Sequence, residues 1–559
     1  MAKKNSEGYC MKDSEIIIKT LEDEVSKWMR AREERQVIDK KLVIRPSYAH
    51  AMHHLIKREE ISYRNGLPYD MVTDRTSAKI AVKIMTGDEV NGFGSYYDCE
   101  STSEVVSKRE IREKCDKLFK SAFYQSIGNY FAGHEFKSYN KLPRILEVEY
   151  NPRLKRMGPA VKSVYIEDVI EREYKLGSIK KATKKISEYF RNKKYIRAAT
   201  ATYFAEDIQK VFVSSEGSKV LQQSFRNSIL LELEMIDSEG RQLDFARRIT
   251  FSDPSEVLKL DLTIFEEFYK KVAERYDCPV EEAGAYPVLM DPEQIGVLMH
   301  EDTVAHLFSA EYILENGLRT FNVEKLGKRI MPEFITLYDN PTLKEAKNWD
   351  YFKYDDEGVP TSRKLLVEHG ILRNYLTDRN TAALLSEILK QPIAAGNSRV
   401  NIESFSEPEP RISNLEIETS EPKTLSEMER ELMRECDRTN KEYALLMEGS
   451  IGGLVNADED DEFSGANATF PEFVYRLYPD GKKVPVKLVH TIGSPYNLLQ
   501  SIMMMGGQRR IENFLCGASS GMVPVTQYAP WGLLRNIEVV SENVKIERND
   551  DPFEEDDDE

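Results

Sequence analysis

The segment from Tyr195 to Phe251 constrains the fold more than any other. It reads as strand, turn, strand, with too few residues between the runs for a crossover helix. Lys210-Val211-Phe212-Val213 and Ser228 to Met235 are strand-length apolar runs, and Ser215-Glu216-Gly217 and Ser238-Glu239-Gly240 supply the turns. The expectation is an antiparallel meander, closed by a helix that starts at Asp253 or Ser255 and runs through Ala273. Upstream, Ile17, Leu21, Val25, Trp28 and Met29 recur at helical intervals between Ser14 and Arg32, with Ser14 as the cap. Arg75 to Ile84 reads as a strand. Cys99 to Lys181 is charged, Tyr-rich and mostly helical or irregular. The first half is therefore expected to be α+β, with helices packed on antiparallel sheet over residues 1–280, ending in the linker Asp277-Cys278-Pro279-Val280.

Beyond Met290 the chain is richer in glycine and in strand-like runs, namely Phe334 to Tyr338, Lys364 to Val367, Ile371 to Leu376 and Phe473 to Leu477. Glu368-His369-Gly370 and Pro479-Asp480-Gly481 read as hairpin turns. A helix is expected from Ser426, at capping-box spacing from Glu429, to about Met447. Residues 281–545 thus form a β-rich unit, barrel-like or sandwich, that carries the helix described below, and residues 546–559 form an acidic, disordered tail. With 41% apolar and 31% charged residues the chain has the composition of a folded protein. No apolar run is long enough for a membrane helix and the N-terminus has no apolar signal region, so no membrane partner and a cytoplasmic location are expected. The six cysteines show no pairing pattern and read as reduced thiols. A net charge of −17 argues against a nucleic-acid partner.

The segment that carries chemistry is Gly296 to His306, in which an apolar run leads into His300-Glu301 and then His306. Two imidazoles and a carboxylate on one short segment suit metal-dependent hydrolysis, with the rings as ligands and the acid as proton acceptor. Four-residue spacing would put both rings on one helical face. The six residues here put them about 120° apart on a regular helix. Either a π-bulge widens the helix, or it ends before His306 and the chain turns back. From the residues alone, a chance pair of histidines stays open beside the metal site. His50, His53 and His54 read as structural, His369 as a solvated turn residue, His490 as packed, and Asp458 to Glu462 as a solvated acidic loop.

Around this segment the chain resembles the TldD/PmbA family (modulator of DNA gyrase family metallopeptidases). The resemblance rests on Leu298 to Glu301, Leu337 to Leu343, Asp355 to Thr361, Leu366 to Arg379, Pro410-Arg411-Ile412-Ser413-Asn414, Glu448 to Gly453, and Cys516-Gly517 with Val523-Pro524-Val525 and Pro530. It spans residues 288 to 540. It implies metal ligands His300, His306 and Cys516, with Glu301 as general base. The family spaces its histidines five apart and has Gly before the second and an acid three residues after it, where this chain has six-residue spacing, Ala305 and Ser309. Two imidazoles and a thiolate leave a divalent transition ion an open fourth position; zinc fits, and iron nearly as well. The resemblance further implies a peptidase acting on unfolded or leader-type peptides, as a homodimer or a heterodimer with a relative. The irregular spacing points to the alternative, a metal-free, catalytically inactive peptide-binding partner subunit.

Overall fold

The structure is a computed structural model. It describes residues 11–541 apart from 38–39, 104–106, 140–143, 146–147, 150, 152, 173, 305–306, 316–322, 347–348, 405, 456–466 and 488. The acidic loop 458–462 and the acidic tail lie outside the described residues.

The N-terminal half is built on one large sheet. Its strands in chain order are β1 (Pro46–Arg64), β2 (Leu67–Asp88), β3 (Gly92–Thr102), β4 (Val164–Ile166), β5 (Ile196–Ser214), β6 (Lys219–Ile236) and β7 (Gln242–Thr250). They lie in the order β7-β6-β5-β1-β2-β3, antiparallel throughout, with short β4 parallel to β6. The meander expected from Tyr195 onward is β5-β6-β7. Helices α1 (Met11–Trp28) and α2 (Lys108–Tyr139) pack on this sheet through Ile17, Leu21, Ile111, Phe119 and Phe123, against Ala49, Ile80 and Val211. Helices α3 (Leu176–Phe190) and α4 (Thr263–Ala273) join a second cluster with Tyr203, Leu231 and Leu233.

Several boundaries differ from the sequence reading. Ser14 is a buried residue inside α1 and not its cap. The helix expected from Asp253 or Ser255 is broken. A 3-10 turn covers Glu256–Lys259, Leu260 is extended, and Asp261 Oδ1 accepts from the Thr263 amide at 3.0 Å before α4 begins.

The C-terminal half opens with β8 (Gly284–Met290) and α5 (Pro292–Met299). It continues through β9 (Ile335–Asp339), β10 (Lys364–Glu368), β11 (Ile371–Leu372), β12 (Asn414–Thr419), α6 (Leu425–Thr439), β13 (Ala444–Val455), β14 (Asn467–Leu477), β15 (Val489–Gly493), β16 (Ile502–Cys516) and β17 (Val523–Ser541). Strands β8-β13-β14-β15-β17 run in sequence and β17 pairs back onto β8, which closes a five-stranded barrel. β12, β9, β10 and β11 extend the sheet outward from β17, and β16 forms a long hairpin with it. The turn between β10 and β11 holds His369 at φ 47° and Gly370 at φ 76°, the left-handed pair a two-residue hairpin needs. Helix α6 is capped by Thr424 with Glu427, not by Ser426 with Glu429. It stops at left-handed Asn440 (φ 52°), because Ala444 to Met447 leave it to join β13. Among the described residues no helix is long and apolar enough to cross a membrane.

Candidate metal centre

The site is carried by α5. Asp291 caps the helix, accepting from the Gln294 amide at 3.0 Å, and Pro292 fills its first turn. Arg510 holds the cap in place, with Nη2 2.8 Å from Asp291 Oδ2. Ile295, Leu298 and Met299 sink into the barrel core, so apolar packing fixes the rotation of the helix. From His300 to Val304 the helix widens into a π-turn, one of the two conformations the His300 to His306 spacing requires. His306 itself lies outside the described residues, as does Ala305.

His300 is 1% exposed, and its ring stands edge-on to Phe514 with 5.2 Å between ring centres. Neither ring nitrogen meets a partner in hydrogen-bonding geometry. Such partnerless nitrogens are costly to bury and point to a ligand. The thiol of Cys516, the last residue of β16, is close enough to exchange charge with the ring, through proximity rather than an aligned hydrogen bond. Burial pushes the Cys516 thiol up, but the charge of the nearby His300 imidazolium and then of the Arg411 guanidinium brings it down to about 6. Burial likewise disfavours a charged His300. The Cys516 thiolate and then Glu301 outweigh burial, so the imidazole titrates above its ordinary value. Two groups separated by most of the C-terminal half thus share one proton in a buried place.

Glu301 follows on the π-turn and is half-buried. Its side chain crosses Gly453 so closely that a Cβ there would fall 2.5 Å from Glu301 Cγ. The glycine-rich turn in β13 is therefore a clearance for this carboxylate. Asn467 Nδ2 reaches the Glu301 carbonyl at 3.5 Å.

A soft thiolate beside an imidazole with unclaimed nitrogens fits an ion of the zinc type. These two are the donors that the described residues bring together. No three His, Cys, Asp or Glu gather as a ligand set among the described residues, and the third position of the sequence reading falls outside them.

Comparison with known proteins follows the same segment. A family model of the PmbA/TldA metallopeptidase C-terminal domain matches residues 283–541. The C-terminal half of the chain is similar to the PmbA/TldD family. A metalloprotease of Methanocaldococcus jannaschii is 27% identical over 66% of this chain and 71% of its own length. A zinc metalloprotease TldD homolog of Saccharolobus solfataricus is 24% identical over 62% of this chain and 71% of its own. Among solved structures, TldE from Thermococcus kodakarensis superposes with a TM-score of 0.59 at 17% identity, covering 89% of this chain and 97% of that one. A putative modulator of a DNA gyrase from Thermotoga maritima gives 0.58 at 16% identity, covering 88% and 96%. The fold of those proteins thus extends over both halves of this one.

Within residues 283–541 the other motifs of the resemblance form a hydrogen-bonded scaffold around the site. Asp339 accepts from the amide and hydroxyl of Ser413 (2.8 and 2.6 Å) and from Asn397 Nδ2 (2.6 Å). Asn414 Nδ2 donates to the carbonyls of Asn340 and Asp350 (2.8 and 2.9 Å). Trp349 Nε1 donates to the Phe514 carbonyl at 3.0 Å and so braces the strand that ends in Cys516. The sequence reading missed the roles of Trp349 and Phe514, which no local pattern marks, and of Arg411, which stood in a motif without a role of its own. His50, His53 and His54 are buried on β1. His490 meets Phe470 edge-on, with 4.8 Å between ring centres.

Proposed function

We propose that this chain is a metal-dependent peptidase in which His300, His306 and Cys516 hold one divalent transition ion and Glu301 serves as general base. One observation carries the reading. Cys516 and the partnerless nitrogens of His300 meet in a buried place at the end of a π-widened helix. The names of the relatives support it, one of them a zinc metalloprotease. When bound, such an ion polarises a carbonyl and lowers the pKa of water. Cys516 enters as thiolate and His300 as neutral imidazole, so loading the site releases the proton they share. Glu301, next to His300 and guided by Gly453, accepts the proton from the attacking water and passes it to the leaving amine. Phe514 and the barrel core keep bulk water from the far side of the ring.

The substrate is an unfolded or leader-type peptide lying extended along a strand edge. The working form is a homodimer or a heterodimer with a family relative. Residues 281–545 supply the chemistry, and residues 1–280 help shape the path of the peptide.

Metal analysis of the purified protein tests the reading. The expected result is one zinc or iron per chain, lost in Cys516→Ser and in His300→Ala. The six-residue spacing of His300 and His306 favours a second reading, a metal-free partner subunit that binds peptide. A folded protein without metal, which binds unfolded peptides and cleaves none even when zinc is added, would establish that reading in place of the first.

A further inference from the structure

Arg411 is 4% exposed and divides its donors between the two ends of the turn joining β16 to β17. Nη2 donates to the Cys516 carbonyl at 2.6 Å and to Cys516 Sγ at 3.3 Å. Nη1 donates to Ser520 Oγ and to the Gly521 carbonyl, both at 2.9 Å. Glu409, 3.5 Å from Nη1, steadies the same turn by accepting from the Ser520 amide at 2.9 Å and from the Ser519 hydroxyl. The Arg411 amide is anchored in turn to the Asn397 carbonyl at 2.9 Å.

Three of the four acceptors are oxygens, and they suffice to hold a turn. The fourth is sulfur, a weak acceptor as a thiol and a good one as a thiolate. A buried guanidinium aimed at sulfur has a use beyond the turn if that sulfur is a ligand. It fixes the direction of the lone pair left for the ion and draws off part of its electron density. A planar fork with five donors serves all four acceptors at once, which an ammonium cannot do.

Resting on the reading above, we infer that Arg411 is the positioning residue for the Cys516 sulfur, setting both its direction and its donor strength toward the ion. It touches neither peptide nor reacting atoms.

Cobalt(II) titration of the metal-free full-length protein tests this by two readouts, the energy of the thiolate-to-cobalt absorption band and the affinity measured against a chelator. Arg411→Lys is expected to bind cobalt about ten- to a hundred-fold more weakly and to move the band to lower energy, since the sulfur regains electron density. Ser520→Ala, which frees only the other limb of the same guanidinium, is expected to leave both readouts as in the wild type. The inference is overturned if Arg411→Lys keeps the wild-type band, whatever its affinity, or if Ser520→Ala reproduces the Arg411→Lys result. It is equally overturned if Arg411→Lys and Arg411→Gln both lose their circular dichroism in the metal-free state, because the arginine is then structural. A wild-type protein that takes up no cobalt sinks the proposed function itself, and this inference with it.

Discussion

Glu301 and Gly453 make opposite demands on one small space, and that separates two predictions. Glu301→Gln keeps the shape and removes the base. Peptide cleavage should fall by roughly 10²- to 10⁴-fold with the ion retained, as metal analysis beside a cleavage assay would show. Loss of the ion together with activity would mean that Glu301 acts on the metal and not on the proton. Gly453→Ala leaves every proposed ligand intact but puts a methyl group 2.5 Å from Glu301 Cγ and 3.0 Å from the Ala468 carbonyl. A carboxylate displaced by about 1 Å should lose on the order of 10²-fold in kcat. Unchanged kcat in that variant would show that Glu301 reaches its position by another path. How much of the site was legible follows residue by residue. His300 and Glu301 stand out because a dipeptide and an apolar helix share one stretch of chain. Cys516 came only through resemblance, since a lone thiol in a strand looks like any small buried residue. Arg411 stood only as one residue of a resembling motif, with no role, and Trp349 was not legible at all: each acts on a strand end far along the chain, and such contacts exist only once the barrel has closed.

At the scale of elements, the meander β5-β6-β7 was readable because apolar runs and Gly turns are local signals. Helix α2 was not resolved, although Ile111, Cys115, Leu118, Ala122 and Phe123 recur on one face, because charged and tyrosine residues dilute the pattern around them. The ends of α6 were misjudged because its cap and its stop depend on Thr424 and on left-handed Asn440, one residue each. Strand β1 carries a consequence of burial. Burial lowers His53 to about 4, and burial followed by the nearby Lys210 lowers His54 to about 3. Both rings are neutral in the folded protein and charge at about 6.5 when unfolded. The unfolded chain therefore binds the extra protons. The stabilisation is complete above about 6.5 and is lost as the pH falls toward 4 and then 3, at ~1.4 kcal/mol per pH unit for each ring. The unfolding free energy measured by denaturant titration between pH 6 and pH 5 should fall with that slope, and His54→Gln should flatten it by about one proton. A variant as steep as the wild type would show that His54 is not held neutral by the fold.

For the whole molecule the question is whether the sheet of residues 46–250 and the barrel of residues 284–541 fold as one. The apolar packing says one. Phe473 of the barrel stacks on Phe245 at 5.7 Å and meets Phe268 edge-on at 5.9 Å. Met428, Leu432 and Leu533 share the same cluster with Phe265, Leu231 and Tyr203. Ion pairs cross the same seam. Lys487 Nζ lies 2.6 Å from Asp237 Oδ2 with both side chains buried, and Arg379 and Lys210 reach Glu216 and Asp356 at 2.8 Å. A boundary near residue 280 therefore divides strands between sheets without dividing the core. Residues 281–545 made alone should expose that apolar face, bind a hydrophobic dye and lack a cooperative melt. Phe473→Ala in the full chain removes a ring from the middle of the seam, at a cost of about 3–5 kcal/mol. It should lower a single calorimetric transition rather than split it, because neither half keeps its core without the other. If the fragment melts cooperatively and binds metal as tightly as the full chain, the barrel is an independent unit, and the N-terminal sheet is a cover laid on a catalytic domain that was already complete.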